Sequence, residues 1–122
     1  MTAGIPEGFH TVTPRLVAAD PEGLVAFLRQ AFGASGESGA DSPVQLQIGD
    51  SRVMVSGADV REATSSVFYL YVEDARATYS RAIDAGAEPI EEPHIVPYGD
   101  LRGIVRDPAE NVWQIATYNG VT

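Results

Sequence analysis

Cysteine is absent from this sequence, which removes disulfides, thiolate metal sites and cysteine nucleophiles together and fits a reducing compartment. Long apolar runs are missing as well. Nowhere are there about 18 consecutive apolar residues, and Met1 to Phe9 lacks the basic flank and apolar stretch of a secretory signal. A soluble, cytoplasmic protein is the expectation. Positive charge is scarce: eight basic side chains stand against seventeen acidic ones, a net charge of −9. Such a field repels phosphate backbones and anionic surfaces, so neither nucleic acid nor a membrane is an expected partner. The same charge either favours a cationic ligand or serves solubility alone. There is no glycine-rich nucleotide loop and no Gly-x-Ser-x-Gly nucleophile motif.

What is present suffices for a fold. A chain of 122 residues buries roughly two thirds of its unfolded surface without staples. Its 12 glycines and 8 prolines fall short of the share, roughly 25–30%, that marks low-complexity chains. One domain over residues 1–122 is expected.

The chain reads as two similar halves. Val12 to Ala19 is a β-rich stretch, after which Asp20, Pro21 and Glu22 supply an N-cap, a proline for the first helical position and an acidic first turn. Leu24, Val25, Phe27, Leu28, Ala31 and Phe32 then recur at helical spacing, and Gly33 stops the helix. Ser66 to Glu73 repeats the pattern: a strand, Asp74 as cap, and a helix from Ala75 to Ala85 closed by Gly86. Asp20 and Asp74 are equivalent positions in an internal repeat of about 54 residues.

Val44 to Ile48 and Arg52 to Ser56 alternate as strands around a Gly49-Asp50-Ser51 turn. Gly103 to Arg106 and Val112 to Thr117 do the same around Asp107 to Asn111. A further strand is expected within Ala34 to Ser42, and Gly57 to Thr64 is a turn-like connector. Pro89 to Asp100, with Pro93, Pro97 and Tyr98-Gly99-Asp100, reads as a stiff loop forming a flap. The architecture expected is α+β, with module one at about 10–57 and module two at about 66–118; each sheet packs one face on its helix and leaves the other for a ligand.

Three stretches, FHTVTPRLVAADPEGLVAFLRQAFGA, FYLYVEDARATYSRAIDAGA and PYGDLRGIVRDPAENVWQIAT, resemble the glyoxalase/bleomycin-resistance/dioxygenase superfamily, the vicinal oxygen chelate fold. The resemblance covers nearly the whole chain and implies two β-α-β-β-β modules in a half-open barrel, as a homodimer around a cleft. It also implies where a divalent metal sits in the family's enzymes: on the first and last strands of each module. Those positions fall here on Thr13, Val67, Gln114 and the segment Met54 to Ser56. Gln114 replaces the usual glutamate of an Asp-Pro-x-Gly-Asn-x-x-Glu pattern, and none of these positions carries an imidazole or a carboxylate. No metal and no other cofactor is therefore expected. Glu110 stands where that turn usually has glycine, so it either stores strain or marks a changed turn.

Strand alternation, anchored on Val67, sends Val67, Tyr69, Tyr71 and Glu73 toward the cleft, with Thr13, Arg15 and Val17 from the first module and Val112, Gln114 and Ala116 from the last strand. Candidate ligand contacts are Thr13, Arg15, Val67, Tyr69, Tyr71, Tyr98 and Gln114; alternatively the tyrosines fill the barrel mouth or a dimer interface. Trp113 faces oppositely to Gln114, toward the core. His10 and His94 are the only imidazoles; they are structural, or they support a displaced metal site with Glu73 or Glu91, or acid/base chemistry. Two readings follow. One is a metal-independent protein of the bleomycin-resistance type, sequestering an aromatic or cationic compound. The other is a glyoxalase- or dioxygenase-like enzyme with a displaced metal site. No catalytic residue is assigned.

Overall fold

The computed structural model describes residues 4–36, 43–58 and 62–120. Along the chain run β1 (Arg15–Ala18), α1 (Pro21–Phe32), β2 (Val44–Ile48), β3 (Ser51–Gly57), β4 (Val67–Tyr71), α2 (Ala75–Asp84), β5 (Glu88–Ile95), β6 (Leu101–Arg106) and β7 (Val112–Thr117), followed by a short turn over Tyr118–Gly120. The strands form a three-stranded sheet ordered β1-β3-β2 and a four-stranded sheet ordered β4-β7-β6-β5. In each sheet the first strand of the module pairs in parallel with the last. This is the α+β, two-module arrangement that the repeat implies.

The helix signals act as read. Asp20 accepts from the Gly23 amide at 3.1 Å, and Asp74 accepts from the Ala77 amide at 3.1 Å. Gly33, at φ 68°, occupies the left-handed conformation that ends α1, where a side chain would be strained. Between the sheets and the helices lies one continuous set of buried residues, including Leu24, Leu28, Leu46, Val55, Leu101, Val105 and Ile115. Each fully buried leucine contributes about 2 kcal/mol. Trp113 belongs to this core, stacked on Phe68 at 4.5 Å between centroids and tilted on Phe32 of α1 at 4.8 Å. It thereby ties the second sheet to the first helix.

Three expectations change. The stretch from Pro89 to Asp100 is not a loop over its first part: β5 occupies Glu88–Ile95 and pairs antiparallel with β6, with register shifts between Pro89 and Glu91 and between Glu91 and His94. Two prolines fit here because β5 is an edge strand, where a missing N–H costs no ladder bond on the outer side and bulges absorb the ring. β1 starts at Arg15 rather than Val12, leaving Thr13 outside the ladder. The strand expected within Ala34 to Ser42 is reduced to a bridge between Ser35 and Gln47; residues 37–42 lie outside the described ones. The connector from Gly57 to Thr64 keeps no strand after Gly57 among its described residues, and the Thr64 amide donates to the Val17 carbonyl at 3.1 Å.

Candidate functional site

The four-stranded sheet has a helix face and an open face. Phe68 and Leu70 of β4 join the core with Trp113 and Ile115 of β7, while Tyr69 and Tyr71 alternate to the other side. Register sets the open face in rows: Tyr69, Gln114 and Ile104 lie side by side, as do Tyr71, Ala116 and Arg102. Parity does this, because side chains two residues apart share a face.

The β5–β6 turn adds to these rows. The Gly99 amide donates to the Val96 carbonyl at 2.8 Å and the Val96 amide to the Asp100 carbonyl at 2.9 Å. That tight turn swings Tyr98 and Asp100 over the sheet. The Tyr69 hydroxyl donates to Asp100 Oδ2 at 2.8 Å and lies 2.8 Å from the Tyr98 hydroxyl. Arg102 donates one nitrogen to the Tyr98 oxygen at 3.2 Å and another to Glu91 Oε1 at 3.4 Å. His94 Nε2 is 3.2 Å from the same Glu91 oxygen. Asp100 is buried and accepts on its other oxygen from the Asn119 amide at 3.2 Å. Burial, then the bonds with Tyr98 and Asp100, hold the Tyr69 phenol far above its ordinary value of 10.0, so it stays protonated.

Three of the rings are open to solvent. Tyr71, Tyr98 and Tyr118 are 60%, 59% and 66% exposed, with Tyr71 5.1 Å from Tyr69 and 6.5 Å from Tyr118 between centroids. Tyr69 also borders two cavities at the seam of the modules. One, of about 630 Å³, lies between the Gly49–Ser51 hairpin tip and the β4–α2 segment, where Asp50, Glu73, Asp74 and Arg81 line it. The other, of about 300 Å³, is walled by His10, Pro14, Arg52, Phe68 and Trp113.

Of the residues expected at the site, the structure brings together Tyr69, Tyr71, Tyr98 and Gln114. Val67 is exposed at the start of β4, in register with Val112. Thr13 and Arg15 sit on the other module, with Arg15 paired to Met54 across β1 and β3. The positions implied for a metal, Thr13, Val67, Gln114 and Met54 to Ser56, offer a neutral amide, hydroxyls and a thioether only. They do not fit a divalent cation. His10 borders the smaller cavity and His94 lies on β5, so the two imidazoles are on separate elements. Among the described residues, no three of His, Asp and Glu are grouped to hold a metal. No helix of the described residues is long and apolar enough to cross a membrane.

Asp100, Arg102 and Tyr118 were not anticipated as site residues. Arg102 was within reach of sequence reasoning, since alternation along β6 begins at Leu101 rather than Gly103. Asp100 lacks any such signal, because its burial depends on a turn closing over the sheet.

Two repeated modules, joined through their helices, leave a sheet face open at the seam. The sequence matches the glyoxalase-like domain family over residues 11–116, and the chain belongs to that family, within the glyoxalase/bleomycin-resistance/dioxygenase superfamily. No curated protein matches the sequence. Among solved structures, TioX from Micromonospora sp. ML1 superposes with a TM-score of 0.76 at 21% identity, over 89% of this chain and 98% of that one. A gene product of Arabidopsis thaliana gives 0.71 at 28% identity, over 88% and 98%. Lactoylglutathione lyase from Agrobacterium tumefaciens gives 0.70 at 21% identity, over 93% and 96%. The first and third of these likenesses are of fold.

Proposed function

We propose that this chain is a metal-independent small-molecule binding protein of the bleomycin-resistance type, which sequesters an aromatic or cationic compound against Tyr69, Tyr71 and Tyr98. The observation that carries this reading is the tyrosine cluster on the open face, backed by the buried carboxylate of Asp100. Aromatic faces attract flat rings and cations, and a few polar groups fix orientation. The acidic balance of the chain supports the approach of a cation. The assembly proposed is a homodimer, in keeping with the exposed Val67 and Tyr118; a monomeric mass in sedimentation would remove that part.

The test is a thermal-shift screen of aromatic and cationic compounds on the purified chain and on Tyr71→Ala. Hits that raise the melting temperature of the parent and lose their effect in the variant support the site; hits unaffected by the substitution place binding elsewhere. The rival, an enzyme with a displaced metal site, draws on the His94–Glu91 contact at 3.2 Å. Elemental analysis of protein purified without chelator decides it: near-stoichiometric metal that His94→Ala removes would overturn the binding reading.

A further inference from the structure

The hydroxyl hydrogens of Tyr69 and Tyr98 are both committed within the cluster, and that determines what a ligand meets at these two oxygens. A phenol has one hydrogen to give and lone pairs to accept with. Tyr69 gives its hydrogen to Asp100 Oδ2. The bond between Tyr69 and Tyr98 must then use the hydrogen of Tyr98. Arg102, which can only donate, supplies the oxygen of Tyr98. The direction is fixed from end to end: Arg102 to Tyr98 to Tyr69 to Asp100. Each phenol oxygen keeps a lone pair and has no hydrogen left.

Arg102 does not reverse this. Glu91 faces its guanidinium at 3.4 Å, and its Nε is shut off from solvent. The Arg102 guanidinium is therefore already faced by a carboxylate, and the Tyr69–Tyr98 pair offers a ligand rings and acceptor oxygens but no hydroxyl donor.

We propose that the tyrosine face selects ligands that donate hydrogen bonds from a cationic, ring-bearing group, of the arylamidinium or arylalkylammonium class, over cations without N–H groups and over anions. This rests on the binding reading above and narrows it. A ring lies against exposed Tyr71, and its N–H groups reach the oxygens of Tyr98 and Tyr69. The carboxylate of Asp100 beneath them strengthens those oxygens as acceptors by polarising the chain. A ligand presenting only acceptors would set lone pairs against lone pairs.

Three probes of similar size separate the contributions: benzamidinium, benzyltrimethylammonium and benzoate, titrated into the full ¹⁵N-labelled chain and followed by NMR shifts. Benzamidinium is expected to bind about tenfold more tightly than benzyltrimethylammonium, the worth of a hydrogen bond involving a charged group. Benzoate is expected to be the weakest. In Tyr98→Phe the preference should collapse to within about twofold. Equal binding of the two cations would overturn the inference and leave the binding site standing, since ring–cation attraction alone would explain it. Benzoate binding most tightly would overturn the inference by showing donors toward the ligand. Shifts from none of the probes at Tyr69, Tyr71 or Tyr98 would overturn both the inference and the reading beneath it.

Discussion

The Tyr69 hydroxyl donates to Asp100 Oδ2 at 2.8 Å across the open face of the second sheet, and the acceptor is a carboxylate with almost no access to water. A buried carboxylate needs its hydrogen bonds. Tyr69 thus both lines the two cavities at the seam and supports the turn that carries Tyr98.

Alkaline pH tests this relationship. Burial first, then the bonds to Tyr98 and Asp100, raise the Tyr69 pKa in the folded state. The folded chain therefore holds that proton more tightly than the unfolded chain. The stabilisation is whole below the ordinary value of about 10, and it is lost as pH climbs beyond that, where only the unfolded chain releases the proton. The urea midpoint of the parent should fall more steeply from about pH 9 to about pH 11 than that of Tyr69→Phe. Parallel slopes would show that Tyr69 titrates alike in both states.

Tyr71 offers the converse case. It is 60% exposed, and its ring is tilted against that of Tyr69. Tyr71→Ala should weaken binding of a cationic or aromatic ligand about fivefold, in line with one ring–cation contact. It should change unfolding free energy by less than about 0.5 kcal/mol, as surface substitutions do. Calorimetric titration and urea melts on the same sample measure the two effects. A loss of stability without a loss of affinity would make Tyr71 a packing residue.

Most of the backbone was legible because its signals are local. Asp20 with Pro21 and Gly33, and Asp74 with Gly86, bracket helices through bonds that span three or four residues. Alternation in Val67 to Tyr71 likewise separates Tyr69 from Phe68 without tertiary information. β5 was not legible, since Pro89 and Pro93 are breakers in a central strand and tolerated at an edge, and edge position is a property of the sheet. Asp100 was hidden for the same reason: nothing near it in sequence foretells a phenol arriving from β4.

Asp107 shows how much one turn residue can hold. Its Oδ1 accepts from the amides of Ala109 and Asn111, and its Oδ2 from Asn111 Nδ2 and Trp113 Nε1 at 2.8 Å. Asn111 in turn accepts the Ser66 amide at 2.9 Å, fastening β4 to the β6–β7 turn. Asp107→Ala would strand the buried indole and amide donors, at a cost of about 3 kcal/mol. Asp107→Asn, which keeps one oxygen, should cost less. Urea unfolding followed by Trp113 fluorescence ranks the three proteins, and equal midpoints would mean that water replaces the carboxylate freely.

Glu110, in the same turn, has a φ of 67°. The strain alternative is thus the one the backbone adopts, because a non-glycine residue pays for a left-handed conformation with about 1 kcal/mol of Cβ crowding. Its amide donates to the Asp107 carbonyl at 2.9 Å, which keeps the turn closed around it. Glu110→Gly keeps that amide and removes the Cβ, so the folded state gains; the added freedom of glycine in the unfolded chain offsets part of the gain. A net rise of about 0.5 kcal/mol, or about 2 °C in melting temperature, is expected by calorimetry. Glu110→Ala, which retains the Cβ, should show no such rise. If both variants melt together, the left-handed backbone at this position carries no measurable strain.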